Sequence, residues 1–188
     1  MKNILSESSE LTGRLVIGTI ESICASLLPP LVQEFHRLYP GVNVSIVIDS
    51  PDTLLAMMNN NAIDIVYFLD RRLDDTKWVK VMEKPENIIF AASSRHTYAN
   101  ETGLEIDQVI SQPMILTEKD ASYRLLLEQY LAADGKKVYP YLEIGNTEFI
   151  IRLLRENGGI SFLPEFTIRR EMKAFIELVR NVEEMPDF

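Results

Sequence analysis

The spacing of apolar residues predicts alternating strands and helices in the first part of the chain. Arg14 to Gly18 carries three consecutive apolar residues, which is typical of a strand covered on both faces. From Ser26 onwards apolar residues recur at helical spacing until Pro40-Gly41 ends the run, and Pro29 and Pro30 fit the first turn of this helix.

The same alternation continues further along the chain. A second strand at Val42 to Ile48, a helix at 51–61 and a third strand at 63–68 complete a β-α-β-α-β series, which predicts a mostly parallel sheet. The remaining predicted elements are strands at 84–92, 113–117, 138–144 and 160–164, helices at 122–133 and 148–156, and one helix and one strand within 166–188.

This order of elements favours two α/β lobes. The chain is expected to cross between them near Glu83-Lys84-Pro85 and near Gly158-Gly159. The first lobe would then hold residues 13–83 and 160–188, and the second would hold 84–159.

Composition narrows the possible partners. The 188 residues are 46% hydrophobic and 25% charged, as in soluble globular proteins, so a compact fold is expected. A net charge of −9 and a pI near 4.8 make the chain a poor binder of nucleic acid by itself. The N-terminus lacks the pattern of a secretion signal and every apolar run is short, so no membrane partner and a cytoplasmic location are expected.

Cys24 is the chain's one cysteine, which excludes an internal disulfide and offers no metal-ligand spacing. No metal and no cofactor are therefore expected. Its candidate imidazole partners, His36 and His96, fall in different predicted lobes, so we interpret Cys24 as buried and inert. Motifs for nucleophilic catalysis, metalloprotease chemistry and nucleotide binding are lacking, and an enzyme is not expected.

Four segments, in this order, carry a family resemblance. They are GRLVIGTIESICASLLPPLVQEFHRLYPGV at 13–42, AIDIVYF at 62–68, MILTEKDASYRLLLEQYL at 114–131 and EIGNTEFIIRLLRENGGISFLP at 143–164. Together they resemble the effector-binding domain of LysR-type transcription regulators over residues 13–188. The resemblance implies the fold of type 2 periplasmic binding proteins, an α/β fold of two Rossmann-like lobes joined by two crossover strands.

The resemblance also implies a function and further segments. A domain of this family binds a small-molecule effector between its lobes and controls a helix-turn-helix DNA-binding domain that would precede Gly13, so DNA is expected to be bound only by that absent domain. Residues 1–12 would be a lead-in or linker remnant, and the family domain continues past the equivalent of Phe188. A solute-binding protein of a transport system and, less favoured, an enzyme such as a prephenate dehydratase or porphobilinogen deaminase remain alternatives.

Polar residues follow several predicted strands, where open α/β sheets bind ligands. We expect a small, anionic ligand to lie in a cleft between the lobes. Its predicted contacts are Thr19, Ser22, Ser50, Thr117, Ser122, Tyr123 and Thr147.

Some of these positions, and some of their neighbours, also have an interpretation without a ligand. Ser22 or Ser26 could cap a helix, and so could Asn146 or Thr147. Arg124, less favoured as a contact, could pair with Glu128 on a solvated helix face.

The first predicted helix has a wide apolar arc, and it predicts a homodimer. Its apolar residues are more than are needed to cover one face of a sheet. The strand Val42 to Ile48 is also rich in Val and Ile, which favours pairing with another chain if it is an edge strand. Pairing of helix against strand about a two-fold axis would bury both. The alternative is that the whole arc is internal core. The arc consists of Leu27, Leu28, Pro30, Leu31, Val32, Phe35, Leu38 and Tyr39.

Overall fold

A computed structural model describes residues 11–69, 77–101 and 103–169, together with the backbone of 175–179. The chain divides into two compact units, of which the first ends at Phe68 and the second begins at Leu69. The predicted lead-in at 1–12 lies outside the described residues except for Leu11 and Thr12. Within the described ranges, no helix combines the length and apolar character needed to cross a membrane.

The first unit is built on a parallel sheet. Its strands are β1 (Gly13–Thr19), β2 (Val42–Ile48) and β3 (Ile65–Tyr67). They lie in the order β2-β1-β3, with Thr19 opposite both Ile48 and Tyr67. The predicted parallel pairing is confirmed, and it places the ends of all three strands at one edge of the sheet.

Three helices accompany this sheet, α1 (Glu21–Ser26), α2 (Leu28–Leu38) and α3 (Pro51–Asn59). The prediction of a single helix from Ser26 was wrong at its beginning, because two helices meet at Leu27. Pro29 and Pro30 have no amide hydrogen to donate to the last turn of α1, so the helix stops and α2 begins with the prolines in its first turn.

The second unit contains strands of both orientations. They are β4 (Ile88–Ser93), β5 (Ile115–Leu116), β6 (Leu142–Glu143), β7 (Ile160–Pro164) and β8 (Phe175–Val179). β4 pairs antiparallel with both β7 and β8, whereas β5 and β6 are parallel. A bridge between Met114 and Ile160 connects these two groups, and the rings of Phe90 and Phe162 pack with centroids 4.8 Å apart.

Three helices belong to the second unit, α4 (Ile106–Ile110), α5 (Ser122–Ala133) and α6 (Thr147–Arg155), and a 3-10 turn at Glu165–Thr167 follows β7. α5 has the predicted bounds, whereas the five-residue α4 was not predicted. β6 is much shorter than the predicted strand at 138–144, because Pro140 cannot donate a hydrogen bond to a neighbouring strand.

The junction between β5 and β7 depends on Gly159. Its φ is +141°, and a Cβ at this position would collide with the carbonyl oxygen of Pro113. The close approach lets the amide of Ile160 donate to that same oxygen over 2.9 Å. The predicted return of 160–188 to the first lobe, and the lobe bounds themselves, stay a prediction. In the second unit, β7 pairs with β4.

Candidate functional site

Thr19 ends the central strand of the first unit and is fully buried. Its hydroxyl donates to the carbonyl oxygen of Tyr67 over 2.7 Å, and its own carbonyl accepts from the amide of Asp49 over 3.2 Å. Thr19 therefore links the ends of all three strands. Its hydroxyl proton is used within the fold, which leaves a lone pair of the oxygen for any further contact.

Ser22 lies three residues further on, in α1. The residue is 2% exposed and its hydroxyl has no hydrogen-bond partner among the described residues. A buried hydroxyl without a partner costs about 1–3 kcal/mol of stability. The interpretation of Ser22 or Ser26 as a helix cap is wrong, because α1 and α2 are preceded by Ile20 and Leu27 and neither helix has a side-chain cap.

Ser50 follows β2 and caps α3. Its hydroxyl oxygen accepts from the amide of Thr53 over 3.4 Å and lies 3.0 Å from the hydroxyl of the same residue. Its own amide donates to Asp49 over 2.8 Å. Capping alone accounts for a serine at this position.

The second unit places Thr117 directly after β5. The residue is 4% exposed, and its hydroxyl also has no hydrogen-bond partner among the described residues. Strand β6 ends beside it, where the amide of Ile144 donates to the carbonyl of Leu116 over 3.0 Å. A third hydroxyl in this condition belongs to Ser161, which lies within β7 rather than at a strand end.

α5 begins a few residues after Thr117 without a capping side chain. The residue before the helix is Ala121, which has no side-chain oxygen to accept from the first amides. In the first turn, the hydroxyl of Ser122 donates to the carbonyl of Leu69 over 2.6 Å, and Tyr123 is buried. The first turn of α5 therefore presents backbone donors that no side chain of the helix caps.

Arg124 is buried rather than solvated. Its Nε and Nη2 donate to Oε1 of Glu128 over 2.9 and 2.7 Å, and its Nη1 donates to the carbonyl of Thr117 over 3.4 Å. The predicted pair with Glu128 is confirmed, but the prediction of a solvated face was wrong, since the side chain of Arg124 is 2% exposed. Its guanidinium holds the backbone of Thr117 in place.

Thr147 is the first residue of α6 and is buried. The cap of α6 is Asn146, whose side-chain oxygen accepts from the amide of Phe149 over 2.8 Å. Of the seven predicted contacts, three therefore lie at strand ends or helix starts of the first unit and four at those of the second. Contact of each with a ligand stays a prediction.

Sequence reasoning missed the position of Glu118. Its carboxylate lies against the backbone of Gly145, the residue before the cap of α6, where a Cβ would collide with it. The pattern that could have indicated this contact is a glycine two residues after the end of β6, since the loops after two neighbouring parallel strands lie close together.

Cys24 is half-buried in α1. Burial, and next the negative charge of Glu21, raise the pKa of its thiol above the ordinary value. Since the thiolate is the reactive form, this environment disfavours a nucleophilic or redox role at neutral pH. In the described part of the chain, no three His, Cys, Asp or Glu side chains come together as a metal-binding group.

The chain belongs to the LysR substrate binding domain family, whose model matches residues 8–186. It is 30% identical over 176 residues to the uncharacterized HTH-type transcriptional regulator YwqM of Bacillus subtilis, covering 92% of this chain and 59% of that protein. The chain thus spans about three fifths of the length of this relative.

Solved structures show the same fold. The cofactor-binding domain of the Cbl transcriptional regulator is similar with a TM-score of 0.75 and 18% identity, over 95% of this chain and 78% of that one. The CcmR regulatory domain of Synechocystis PCC6803, solved in complex with 2-PG, gives a TM-score of 0.70 and 23% identity over 89% and 80%. The predicted α/β fold of the type 2 periplasmic binding proteins is confirmed.

The hydroxyl of Thr117, which no described residue hydrogen-bonds, predicts an unusual gain in stability on its removal. Thr117→Val replaces that hydroxyl with a methyl group of similar shape and should raise the free energy of unfolding of the ligand-free chain by about 1 kcal/mol. Thr19→Val is the matched control and should lower it by about 1 kcal/mol, because the hydroxyl of Thr19 has a partner in Tyr67. Urea unfolding monitors both variants. A loss of stability in Thr117→Val equal to that in Thr19→Val would show that Thr117 is satisfied within the fold.

Proposed function

We propose that this chain is the ligand-sensing domain of a LysR-type transcription regulator and that its effector is a small anion. The effector would be bound by the polar groups that follow the strands of each unit. The proposed contacts are Thr19, Ser22, Ser50, Thr117, Ser122, Tyr123 and Thr147.

The observation that carries this proposal is the buried hydroxyl of Thr117 ahead of the uncapped α5. A hydroxyl and the first amides of a helix are hydrogen-bond donors, and the helix dipole favours negative charge at the same place. A carboxylate or phosphate oxygen accepts strong hydrogen bonds from such donors. Because Arg124 fixes the backbone of Thr117, these donors are arranged before a ligand arrives.

Ser22 gives the first unit a buried hydroxyl of the same kind, able to donate a hydrogen bond to a ligand. Its buried hydroxyl has lost its hydration, so a ligand oxygen that reaches it replaces no bond within the described part of the fold. Thr19 and Ser50 differ, since both already have internal partners. We therefore assign the larger energetic contributions to Ser22 and Thr117 and a positioning contribution to Thr19 and Ser50.

The regulatory part of the proposal rests on the relatives. YwqM is named as an HTH-type transcriptional regulator, and about two fifths of its length lies outside the match. We propose that this chain acts with a helix-turn-helix segment that contacts DNA in the cytoplasm, because a net charge of −9 opposes direct contact of this domain with phosphates. The similar CcmR domain was solved in complex with 2-PG, which supports a small-molecule ligand.

The named relative and the surroundings of the buried hydroxyls also favour a binding domain over an enzyme. The matched relative is named as a regulator, and among the described residues no base forms a hydrogen bond with the hydroxyl of Ser22 or Thr117 that would activate it. Binding of a small anion requires only the donors that the fold presents.

A thermal-shift screen of small carboxylates and phosphates tests the proposed function. A ligand at about 100 times its Kd stabilises the folded chain by about 2.7 kcal/mol, so at least one compound should raise Tm by several degrees. Ser22→Ala and Thr117→Val should weaken its binding about tenfold, because each loses a hydrogen bond to a charged group. Ser94→Ala, an exposed serine outside the proposed contacts, should bind normally. Unchanged affinity in both site variants would refute these contacts, and a screen without any stabilising anion would refute the function.

We further propose that the chain forms a homodimer through α2 and β2. Leu31 and Leu38 on α2 are 57% and 42% exposed, and Ile48 on β2 is 51% exposed. β2 is also an edge of the three-stranded sheet of the first unit, and no described strand pairs with its outer side, which a second copy could therefore occupy. Part of the apolar arc of the first predicted helix is internal, since Leu28 is buried. The exposed part would be covered by a second copy.

Sedimentation at micromolar concentration measures this association. The chain should sediment as a dimer of 21.5 kDa subunits, and Leu31→Glu should shift it to monomer because a charge would be buried in the interface. Val79→Glu, at an aliphatic residue that is 86% exposed in the second unit, is the control and should leave the dimer intact. A monomer at every concentration, or a dimer insensitive to Leu31→Glu, would contradict the proposed interface.

A further inference from the structure

Glu118 places a negative charge in the loop that leads to α5. Its carboxylate lies on the backbone of Gly145, and any larger residue at 145 would displace it. Among the described residues, no Lys or Arg forms an ion pair with the Glu118 carboxylate and none donates a hydrogen bond to it, whereas its backbone carbonyl accepts from the amide of Ala121 over 3.2 Å. Glu118 is exposed, so water solvates its carboxylate, and the glycine at 145 leaves room for it beside the start of α6.

Groups that favour an anion lie next to Glu118 in the sequence. Thr117 contributes a buried hydroxyl that has no hydrogen-bond partner among the described residues, and Ala121, the residue before α5, has no side chain that could cap the helix. These groups favour an anion, whereas Glu118 favours a cation or a strong hydrogen-bond donor. One loop of five residues, 117–121, thus offers both kinds of group to a ligand.

A plain dicarboxylate or a phosphate would bring a second negative charge towards Glu118. Like charges a few ångström apart repel each other, and water at this exposed side chain reduces the repulsion without removing it. A ligand with a protonated amine beside its acid group avoids this repulsion and gains an ionic hydrogen bond. An ionic hydrogen bond between the ligand amine and Glu118 would also explain why residue 145 is a glycine, since a side chain there would displace the Glu118 carboxylate.

We propose that the effector is a zwitterion of the amino-acid class, with its acid group at Thr117 and the start of α5 and its ammonium group at Glu118. The proposal rests on the proposed function, since it assigns the charges of the ligand at that same site. Glu118 is then the residue that selects amino acids over the corresponding plain acids.

Two pairs of probes test this selectivity, aspartate against succinate and glutamate against glutarate. Within each pair, the compounds share the carbon chain and both acid groups and differ in the amine. Calorimetry and thermal shift should show the amino acid of at least one pair binding at least about tenfold more tightly than its plain acid, the usual effect of a hydrogen bond between charged groups. Glu118→Gln should abolish this preference by weakening the amino acid and leaving the plain acid unchanged or slightly improved.

Two further variants separate the role of this carboxylate from general effects of charge. Asp120→Asn removes an exposed carboxylate from the same loop and should leave the preference intact. Gly145→Ala keeps Glu118 but displaces its carboxylate, so it should reduce the preference while its circular dichroism spectrum remains that of the folded chain.

The outcomes distinguish this proposal from the proposed function. If succinate or glutarate binds as tightly as its amino acid, or if Glu118→Gln retains the preference, Glu118 does not select the ligand. If none of the four compounds binds but phosphate or another anion without an amine does, binding does not need an ammonium group at Glu118, so the zwitterion is refuted and the anion-sensing function stands. If no anion binds, the proposed function itself is refuted.

Discussion

Two hydroxyl groups are buried and have no hydrogen-bond partner among the described residues: that of Ser22 in α1, shortly after β1, and that of Thr117, directly after β5. Burial removes their hydration, and an unsatisfied hydroxyl lowers the stability of a fold by about 1–3 kcal/mol. A domain of this size is stabilised by only about 5–15 kcal/mol in total, so two such groups are a substantial cost. A ligand that accepts their hydrogen bonds offsets the cost, which connects binding directly to the stability of the folded chain.

The rest of the structure holds these groups in place. In the first unit, the three parallel strands end side by side, and the hydrogen bond from the hydroxyl of Thr19 to the carbonyl of Tyr67 joins two of these ends. In the second unit, Gly159 lets β5 and β7 meet, and the buried guanidinium of Arg124 fixes the carbonyl of Thr117. Thr117 is thus positioned by strand pairing and by a buried side chain, and Ser22 by the helix that follows β1, so both hydroxyls have defined places before a ligand binds.

Much of the fold was accessible from the sequence because it follows from local patterns. The β-branched run Val42–Ile48 and the amphipathic helix Ser122–Ala133 have the predicted bounds. The break between α1 and α2 was missed because the helical spacing of apolar residues continues across it, and only the missing proline amides interrupt the hydrogen bonds. α4 was missed because five residues are too few to show a period. Strand direction in the second unit depends on distant pairing that no local pattern contains.

The site could be predicted only in part, for a related reason. The rule that ligands bind after the strands identified the loops that hold Ser22 and Thr117. It could not distinguish these unpartnered hydroxyls from those of Ser50 and Ser122, whose partners are a helix amide and a distant carbonyl. Nor could it show that Arg124 is buried or that Glu118 lies on Gly145, since both depend on three-dimensional packing. Residue types indicate which chemistry is available, whereas hydrogen bonding decides which groups remain free for a ligand.

Amide hydrogen exchange, followed by mass spectrometry, tests most directly whether these loops bind the effector. It would be measured on the chain alone and with the compound that gives the largest thermal shift. Exchange should slow at residues 19–23 and 117–124 and stay unchanged at 31–38 on α2, because the bound ligand orders the loops that contact it. Protection confined to α2 or to other surfaces, with the loops at Ser22 and Thr117 exchanging as before, would contradict binding at these hydroxyls.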